Sequence, residues 1–255
     1  MKINLGDIIP TSTLDWPGKV VLVIFTRGCP LRCPYCSNAK LIDVPEDYEP
    51  KDVEFVTAEI ARAADFIDGI VMSGGEPFMQ GAALREIAAF TKDRGLLVGV
   101  HTNGAYPERI AGLANEGLLD AVFLDVKAPL ELAAYTNACG GADESTLRAI
   151  KASLELCCGL RVENKISYFE VRTTVFKGIS DTPEDIAKIV SSIPCADSYV
   201  IQQGRPEVAM DERLQKTDAI MRNDLYELAK TAKSSAKGVK VLKLRTHSFG
   251  DEIVN

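Results

Sequence analysis

Short, continuous apolar runs recur along the chain, and stretches of helical periodicity separate them. Apolar runs of four to eight residues that are rich in β-branched side chains are typical of strands buried on both faces of a parallel sheet. The predicted strands are Val20–Thr26, Gly69–Met72, Leu96–His101, Ala121–Asp125, Tyr168–Phe176 and Tyr199–Gln202, followed by a further strand at Val239–Leu244. Short extended pieces are predicted to form a lead-in before the first of these strands.

Helices are predicted between the strands, at Thr57–Phe66, Ala82–Arg94 and Glu144–Cys158, where apolar residues recur at helical spacing. Another helix is predicted to begin at Thr182, because Pro183 and two acidic residues follow this N-cap residue. Six strand–helix units predict an α/β fold, with a parallel sheet and the helices outside it. Six units are too few for a closed eight-stranded barrel. We therefore predict an open or partial barrel and a single domain over residues 1–255.

Polar and glycine residues follow the carboxyl end of nearly every predicted strand. They are Arg27-Gly28-Cys29, Ser73-Gly74-Gly75-Glu76-Pro77, His101-Thr102-Asn103-Gly104, Asp125-Val126-Lys127 and Gln202-Gln203-Gly204-Arg205, and the predicted strand Tyr168–Phe176 itself carries Arg172 and Thr174. Ligands of parallel α/β folds bind at this edge of the sheet. The pattern therefore predicts an active site at this edge.

Composition narrows the class of protein. The chain has 255 residues, of which 46% are hydrophobic, and a formal net charge of −7. This hydrophobic fraction is enough for a substantial core, and the negative charge does not favour nucleic acid or an anionic membrane as a partner. No apolar run approaches the roughly 20 residues that span a bilayer, and the N-terminus lacks the apolar stretch of a signal peptide. These features predict a cytoplasmic protein with no membrane partner.

Seven cysteines are present, and three of them, Cys29, Cys33 and Cys36, form a C-x3-C-x2-C cluster after the first strand. An odd number of cysteines in a large chain without an export signal argues against a disulfide framework. The other four are expected to be small buried hydrophobic side chains: Cys139, Cys157, Cys158 and Cys195.

The cysteine cluster suggests metal binding. Three thiolates at this spacing can hold three corners of a four-iron cluster and leave its fourth iron open to another ligand. The alternatives are a structural zinc site that borrows a distant ligand, and three unliganded thiols. Zinc requires a fourth Cys or His, and the chain has only His101 and His247 as histidines.

The run Cys29-Pro30-Leu31-Arg32-Cys33-Pro34-Tyr35-Cys36 resembles the signature of the radical S-adenosylmethionine (radical SAM) superfamily, including the aromatic residue before the third cysteine. Gly74-Gly75-Glu76-Pro77 resembles the glycine-rich motif with which that superfamily binds the methionine moiety. The resemblance implies a partial (β/α)6 barrel and a [4Fe–4S] cluster on the three cysteines. It also implies reductive cleavage of S-adenosylmethionine to a 5′-deoxyadenosyl radical.

The same resemblance implies cofactor-binding roles for particular residues. Gly74 and Gly75, in the motif with Glu76, would let backbone groups approach the methionine amine. Tyr35 would pack near the adenine, the alternative being an ordinary loop aromatic. Asn103 would help to position the cofactor, the alternative being a turn-forming Asn-Gly pair.

Asp125-Val126-Lys127 resembles the D-x-K motif of the glycyl-radical activating enzymes, and strand alternation predicts that Asp125 and Lys127 share a face. Arg172 matches an arginine that pairs with the methionine carboxylate in those enzymes, a task that suits a guanidinium. The alternative for these charges is an ion pair inside the barrel. His101 is assigned no role.

Two further segments, Thr11–Lys19 and Ile201–Pro206, resemble the activating proteins of anaerobic ribonucleotide reductase. This resemblance implies a glycyl radical enzyme as protein substrate and a flavodoxin- or ferredoxin-type electron donor. The alternative is a radical SAM enzyme that modifies a small molecule or tRNA, for example in a reaction like that of a deazapurine synthase. The chain departs from the usual family pattern at Pro30 and at Ser37-Asn38, where members often have Asn and His-Asn.

Six basic residues and no acidic residue lie between Lys230 and Arg245. This stretch is interpreted as a solvated final helix and a lysine-guarded edge strand, in preference to a docking patch for an acidic protein or RNA.

Overall fold

A computed structural model describes residues 1–254 of the chain. Within these residues the strands are β1 (Lys2–Ile3), β2 (Leu5–Ser12), β3 (Val21–Thr26), β4 (Lys51–Asp52), β5 (Gly69–Gly74), β6 (Leu97–Thr102), β7 (Ala121–Asp125), β8 (Tyr168–Val175), β9 (Ala196–Gln203), β10 (Val239–Thr246) and β11 (Gly250–Ile253). The helices are α1 (Val53–Ala63), α2 (Gly81–Lys92), α3 (Pro107–Asn115), α4 (Leu132–Cys139), α5 (Glu144–Val162), α6 (Pro183–Ser191), α7 (Glu212–Gln215) and α8 (Arg222–Lys233).

A nine-stranded sheet forms the centre of the fold, with the strand order β11-β10-β9-β8-β7-β6-β5-β3-β2. The strands from β3 to β10 in this order are parallel, whereas β2 and β11 pair antiparallel at the two edges. The predicted parallel α/β fold is therefore confirmed. The six predicted strand–helix units begin at β3, β5, β6, β7, β8 and β9, and the extra C-terminal strand is β10.

The main hydrophobic core lies between the outer face of the sheet and the helices. Ile24 and Ile70 of the sheet belong to it, together with Ile60 of α1 and Leu84 of α2. Burying one face of each helix in this way explains why the apolar residues recur at helical spacing.

A second apolar cluster lies on the inner face of the sheet, where Trp16 of the lead-in packs with Val21 and Val23 of β3 and with Phe123 of β7. Two strands separate β3 from β7, so they would be about 14 Å apart in a flat sheet. Because both strands contribute to one cluster with a single indole ring, the sheet must curve around it. Trp16 fills the floor of the resulting concave side.

Some element boundaries differ from the predictions. Helix α1 begins at Val53, four residues before the predicted start, and α3 and α4 were not predicted. Only Ile110, Leu113 and Ala114 of α3 are buried, so its apolar signal is weak. The predicted cap at Thr182 is present, because its side chain accepts a hydrogen bond from Asp185 N at the start of α6.

The scattered cysteines behave in two ways. Cys139 and Cys157 are buried free thiols, as expected. Cys158 and Cys195, 37 positions apart, form a disulfide instead, so the expectation of unpaired side chains is wrong for this pair. The fold brings the carboxyl-terminal half of α5 against the start of β9, a long-range proximity that cysteine spacing does not reveal.

The interpretation of β10 as an edge strand is also wrong, because β11 folds back and pairs with it antiparallel. Four of the six basic residues have an acidic partner: Lys230 pairs with Glu227, Lys240 with Asp197, and Lys243 and Arg245 with Asp251. Most of this positive charge is therefore neutralised locally. No helix among residues 1–254 is both long and apolar enough to cross a membrane.

Candidate active site

A cavity of about 480 Å³ opens at the carboxyl ends of the parallel strands. Ten of the eleven site residues singled out from the sequence line it: Cys29, Cys33, Tyr35, Cys36, Gly74, Gly75, Asn103, Asp125, Lys127 and Arg172. The exception, Glu76, is fully buried next to the cavity. Folding thus brings together residues that are spread over more than half of the chain.

The cysteine loop follows β3 and is held by its own backbone. The amides of Gly28 and Cys29 donate to the carbonyl oxygens of Leu41 and Ile42, at 2.8 and 3.0 Å. The amide of Arg32 donates to the carbonyl of Cys139 at the end of α4, at 3.1 Å. These backbone hydrogen bonds therefore fix the loop between two other segments of the chain.

The three thiols of this loop face the same cavity, and burial is the main influence on two of them. It raises the pKa of Cys29 to about 11 and also raises that of Cys36. For Cys33, a hydrogen bond with the thiol of Cys139 outweighs burial and lowers the pKa to about 7. Among residues 1–254, no three Cys, His, Asp or Glu side chains converge closely enough to hold a single metal ion.

Neither histidine is available as the fourth ligand that a zinc site requires. His247 does not line the cavity. The Nε2 of His101 lies 3.0 Å from the carbonyl oxygen of Asp15, and its Nδ1 lies 3.4 Å from the hydroxyl of Ser73. Three thiols without a fourth protein ligand fit a [4Fe–4S] cluster whose fourth iron is open, and iron coordination overcomes the unfavourable ionisation of buried thiols.

The glycine pair at the end of β5 is required by the close approach of the cysteine loop. Gly74 has φ +108°, and a Cβ on it would overlap the backbone of Thr26. A Cβ on Gly75 would overlap the carbonyl oxygen of Gly28. The carbonyl of Gly74 also accepts a hydrogen bond from Asn38 Nδ2, at 3.3 Å. The two glycines therefore allow the two loops to pack together, in addition to leaving room for a ligand.

Glu76 links two loops and does not face the cavity. Its Oε1 accepts hydrogen bonds from the Thr102 hydroxyl at 2.8 Å and the Phe78 amide at 3.1 Å, and its Oε2 accepts one from the Asn103 amide at 2.7 Å. Complete burial raises the pKa of Glu76 to about 7 in spite of these donors. The structure places this residue as a clamp between the ends of β5 and β6.

Asn103 makes the turn-forming contact considered for it and a second contact to the cysteine loop. Its Oδ1 accepts a hydrogen bond from the Ala105 amide at 3.0 Å, which is a turn-forming contact, and Gly104 adopts φ +78°. Its Nδ2 points the other way, towards Cys29 Sγ at 3.6 Å. The turn therefore aims an amide donor at a sulfur of the cysteine loop.

Asp125 and Lys127 both line the cavity, whereas Val126 is buried in the main core, as strand alternation predicts. Lys127 Nζ lies 3.0 Å from Asp125 Oδ2. Burial is the largest single influence on Lys127 and would lower its pKa. The charge of Asp125, together with smaller contributions from Tyr35 and from neighbouring thiols, outweighs burial and raises the pKa well above its ordinary value. The pair thus presents a fixed ammonium and a carboxylate to the cavity.

Tyr35 stacks on Phe176, with the ring centroids 5.1 Å apart and the planes 29° apart. The Tyr35 hydroxyl is buried and has no hydrogen-bond partner within the described residues. Burial raises the pKa of this hydroxyl well above its ordinary value, so it stays protonated. The stack gives the cavity an aromatic wall with one unused hydroxyl.

Arg172 lies at the base of the cavity and uses only part of its guanidinium. Its Nε donates to Glu170 Oε1 at 2.6 Å, and its Nη1 lies 3.2 Å from His101 Nε2. Its Nη2 is buried and has no partner within residues 1–254. The interior ion pair that the sequence left as an alternative is therefore present between Arg172 and Glu170, and the Nη2 amino group of Arg172 is left without a partner.

Glu170, beneath Arg172, carries a buried negative charge. Burial would raise the pKa of Glu170, but the charges of Arg172 and Arg245 and hydrogen bonds from Ser198 and Arg172 outweigh burial and lower it to about 2. For His101, burial acts in the same direction as the charge of Arg172, and together they lower its pKa to about 4. The site therefore contains an ionised Glu170 and a neutral His101 at neutral pH.

Sequence reasoning missed several residues of the cavity: Leu14, Asp15, Phe176 and Arg245 line it, and Glu170 supports it from below. Phe176 comes directly after β8, so the rule of strand carboxyl ends could have found it. Leu14 and Asp15 precede β3 and reach the cavity only because the lead-in folds into the concave side.

Comparisons with known proteins show which family the chain resembles. The sequence model of the Radical SAM superfamily matches residues 23–193. The chain is 36% identical over 243 residues to a protein of Methanocaldococcus jannaschii whose name assigns it provisionally to the glycyl-radical enzyme activating enzymes, and the match covers 94% of this chain and 96% of that protein.

Two further proteins are similar over part of their length or in fold. The pyruvate formate-lyase-activating enzyme of Staphylococcus aureus is 31% identical over 120 residues, which are 46% of this chain and 45% of that enzyme. The structure of Streptococcus suis SuiB bound to S-adenosylmethionine superposes with a TM-score of 0.59 at 15% identity, covering 89% of this chain and 52% of SuiB.

Proposed function

The chain belongs to the radical SAM superfamily, and from this premise we propose that it removes a hydrogen atom from a glycine of a partner glycyl radical enzyme such as an anaerobic ribonucleotide reductase. The observation that carries the proposal is the 36% identity, over 94% of the chain, to the Methanocaldococcus jannaschii protein whose name assigns it provisionally to the glycyl-radical enzyme activating enzymes. The Asp125–Lys127 pair in the cavity supports it, because this pair resembles the D-x-K motif of the same class.

The residues of the cavity fit the two cofactors of the superfamily. Cys29, Cys33 and Cys36 would hold a [4Fe–4S] cluster, and the remaining cavity would bind S-adenosylmethionine. Together these groups supply a 5′-deoxyadenosyl radical when the cluster is reduced. A flavodoxin- or ferredoxin-type protein is proposed as the source of the electron.

The protein's own groups bind and orient the cofactor. The unpartnered Nη2 of Arg172 suits one oxygen of the methionine carboxylate, since a guanidinium donates strong hydrogen bonds to carboxylates. The aromatic wall of Tyr35 and Phe176 offers an apolar face to the adenine ring. Asp125 and Lys127 offer an acceptor and donors to the cofactor's polar groups. Fixing these positions before the reaction lowers its entropic cost.

Polar groups on the far wall of the cavity are left for the substrate. Thr174 and Gln202 are opposite each other in the pairing of β8 and β9, and both line the cavity together with Arg205. Amide and hydroxyl groups can hydrogen-bond to a peptide backbone. Leu14, whose side chain is 79% exposed, adds an apolar contact at the rim. This wall is compatible with a protein loop as substrate.

Electron paramagnetic resonance of a reconstituted mixture tests the proposal. The cluster is assembled without oxygen, and reductant, S-adenosylmethionine and the large subunit of the anaerobic reductase from the same genome are added. We expect a glycyl doublet that disappears in the Cys33→Ala variant, with Cys157→Ala as the matched control, because Cys157 is a buried free thiol outside the cavity. Cofactor cleavage without a doublet would contradict the protein substrate and favour a small molecule or tRNA.

A further inference from the structure

A ladder of polar side chains rises along the inner face of β8 towards the cavity. Tyr168, Glu170, Arg172 and Thr174 alternate with core residues, so all four point to the same side of the sheet. Arg172 and Thr174 line the cavity, and Glu170 lies one step below, fully buried. Burying a carboxylate costs free energy unless the carboxylate is paired. The position of Glu170 directly beneath Arg172 therefore suggests that the two side chains work together.

The two oxygens of Glu170 have separate partners. Oε1 accepts Arg172 Nε at 2.6 Å and lies 3.7 Å from Arg245 Nη2. Oε2 accepts the hydroxyls of Tyr168 and Ser198, both at 2.7 Å. Arginine and carboxylate groups often form two parallel hydrogen bonds, but the two hydroxyls occupy the oxygen that a second bond from Arg172 would need.

This division of partners leaves one end of the guanidinium free. Arg172 is only 7% exposed, and its Nη2 is buried without a hydrogen-bond partner within the described residues. A buried donor without a partner is unfavourable, and a ligand that accepts its hydrogen bond removes that cost.

We propose that Glu170 is a positioning residue, held through its second oxygen by Tyr168 and Ser198, which orients Arg172 so that Nη2 stays available to the carboxylate of the cofactor's methionine moiety. This inference rests on the carboxylate contact of Arg172 in the function proposed above. Glu170 itself does not line the cavity and acts on the ligand's carboxylate through Arg172.

The proposal is tested by comparing two ligands of the reconstituted protein that differ in the methionine carboxylate. S-adenosylhomocysteine carries the amino and carboxylate groups, and 5′-methylthioadenosine lacks both. In Glu170→Gln we expect the affinity for S-adenosylhomocysteine to fall about tenfold, equivalent to about 1.4 kcal/mol. The affinity for 5′-methylthioadenosine should stay within about twofold, because Glu170 acts only on the carboxylate contact.

A matched control is Glu252→Gln, which alters another Glu–Arg pair outside the cavity, that of Glu252 with Arg222. It should leave both affinities unchanged. If Glu170 had only a general structural role, its substitution would lower the affinity for both ligands equally. That result, or no change in either affinity, would overturn the proposal.

A second variant applies if Glu170→Gln does not fold. The double substitution Tyr168→Phe with Ser198→Ala keeps the carboxylate but frees Oε2 to take a second bond from Arg172. This variant should lower the affinity for S-adenosylhomocysteine and leave that for 5′-methylthioadenosine unchanged. Equal affinities of the variant and the wild type for S-adenosylhomocysteine would refute the proposal. None of these measurements involves the partner reductase. A failure of the proposed function, seen as the absence of a glycyl doublet, is therefore distinguishable from a failure of the role proposed for Glu170.

Discussion

The indole of Trp16 rests directly on the backbone of Gly99 in the middle of β6. A Cβ added to Gly99 would lie 2.9 Å from Trp16 Cζ3 and 3.2 Å from Phe123 Cε2. Trp16 also meets Phe123 edge to face, with the ring centroids 5.8 Å apart. The glycine therefore makes room for the aromatic floor of the concave side, and the lead-in is attached to the sheet through this contact.

Substituting Gly99 should expose this dependence. Gly99→Val should lower the free energy of unfolding by about 1–3 kcal/mol, because the extra methyl groups overpack the floor against two aromatic rings. Urea unfolding followed by the fluorescence of the single tryptophan measures it. Gly112→Ala is the control, since that position in α3 is open and alanine should leave stability equal or higher. Equal stability of Gly99→Val and wild type would contradict the packing described.

Lys127 should contribute to cofactor affinity through its charge. Lys127→Met keeps most of the aliphatic length but removes the ammonium that pairs with Asp125 at 3.0 Å. We expect the affinity of the reconstituted protein for S-adenosylmethionine to fall by about tenfold or more, because the carboxylate of Asp125 loses its partner in the cavity. Isothermal titration calorimetry compares this variant with Lys177→Met, whose exposed side chain lies outside the cavity. Equal losses in both variants would argue against a specific role.

His101 should make stability depend on pH. Its pKa is lowered from 6.5 to about 4 in the folded protein by burial and by the charge of Arg172. Between these values the imidazole binds more protons in the unfolded chain than in the folded one, so the contribution of His101 to the free energy of unfolding should fall as the pH decreases from about 6.5 to about 4. The contribution of one group is at most about 1.4 kcal/mol per pH unit.

Denaturant unfolding of wild type and His101→Gln over this range isolates that contribution. The difference in stability between the two proteins should shift with pH in favour of the variant as the solution becomes more acidic. His247→Gln is the control for the exchange itself, because it makes the same substitution at an exposed histidine outside the cavity. Parallel pH profiles for wild type and His101→Gln would show that His101 is not the responsible group.

The disulfide should stabilise the fold under oxidising conditions. Cys158 and Cys195 enclose a loop with a sequence separation of 37, for which chain entropy predicts about 3–4 kcal/mol. Cys195→Ala should lower the free energy of unfolding by about that amount without reductant, and dithiothreitol should remove most of the difference. The control is Cys157→Ala, which removes a buried free thiol and leaves the disulfide intact. Cys139→Ala is unsuitable as a control because Cys139 contacts Cys33. A variant as stable as the oxidised wild type would rule out this contribution.

Local sequence patterns carried the fold class and most of the candidate site. The β-branched apolar runs identified the parallel strands, because a strand buried on both faces has no polar positions. The polar and glycine residues at or near the ends of those runs include eight of the eleven residues predicted for the site, and seven of these eight line the cavity, since carboxyl ends of parallel strands share one edge. Cys33 and Cys36 were indicated by the cysteine spacing, and Tyr35 by the resemblance to the radical SAM signature. The D-x-K spacing placed Asp125 and Lys127 on one side because strand periodicity is a local property.

The tertiary structure decided which of these side chains meet and what each has left to bind with. Glu76 clamps two loops, Cys158 bonds with Cys195, and Trp16 occupies the floor of the barrel; each depends on contacts between distant segments. The sequence by itself determined that Arg172 lies on the strand β8, with its side chain on the same face as that of Thr174. Only folding, which places Glu170 and its hydroxyl partners beneath that arginine, determines that one N–H group remains free for a ligand.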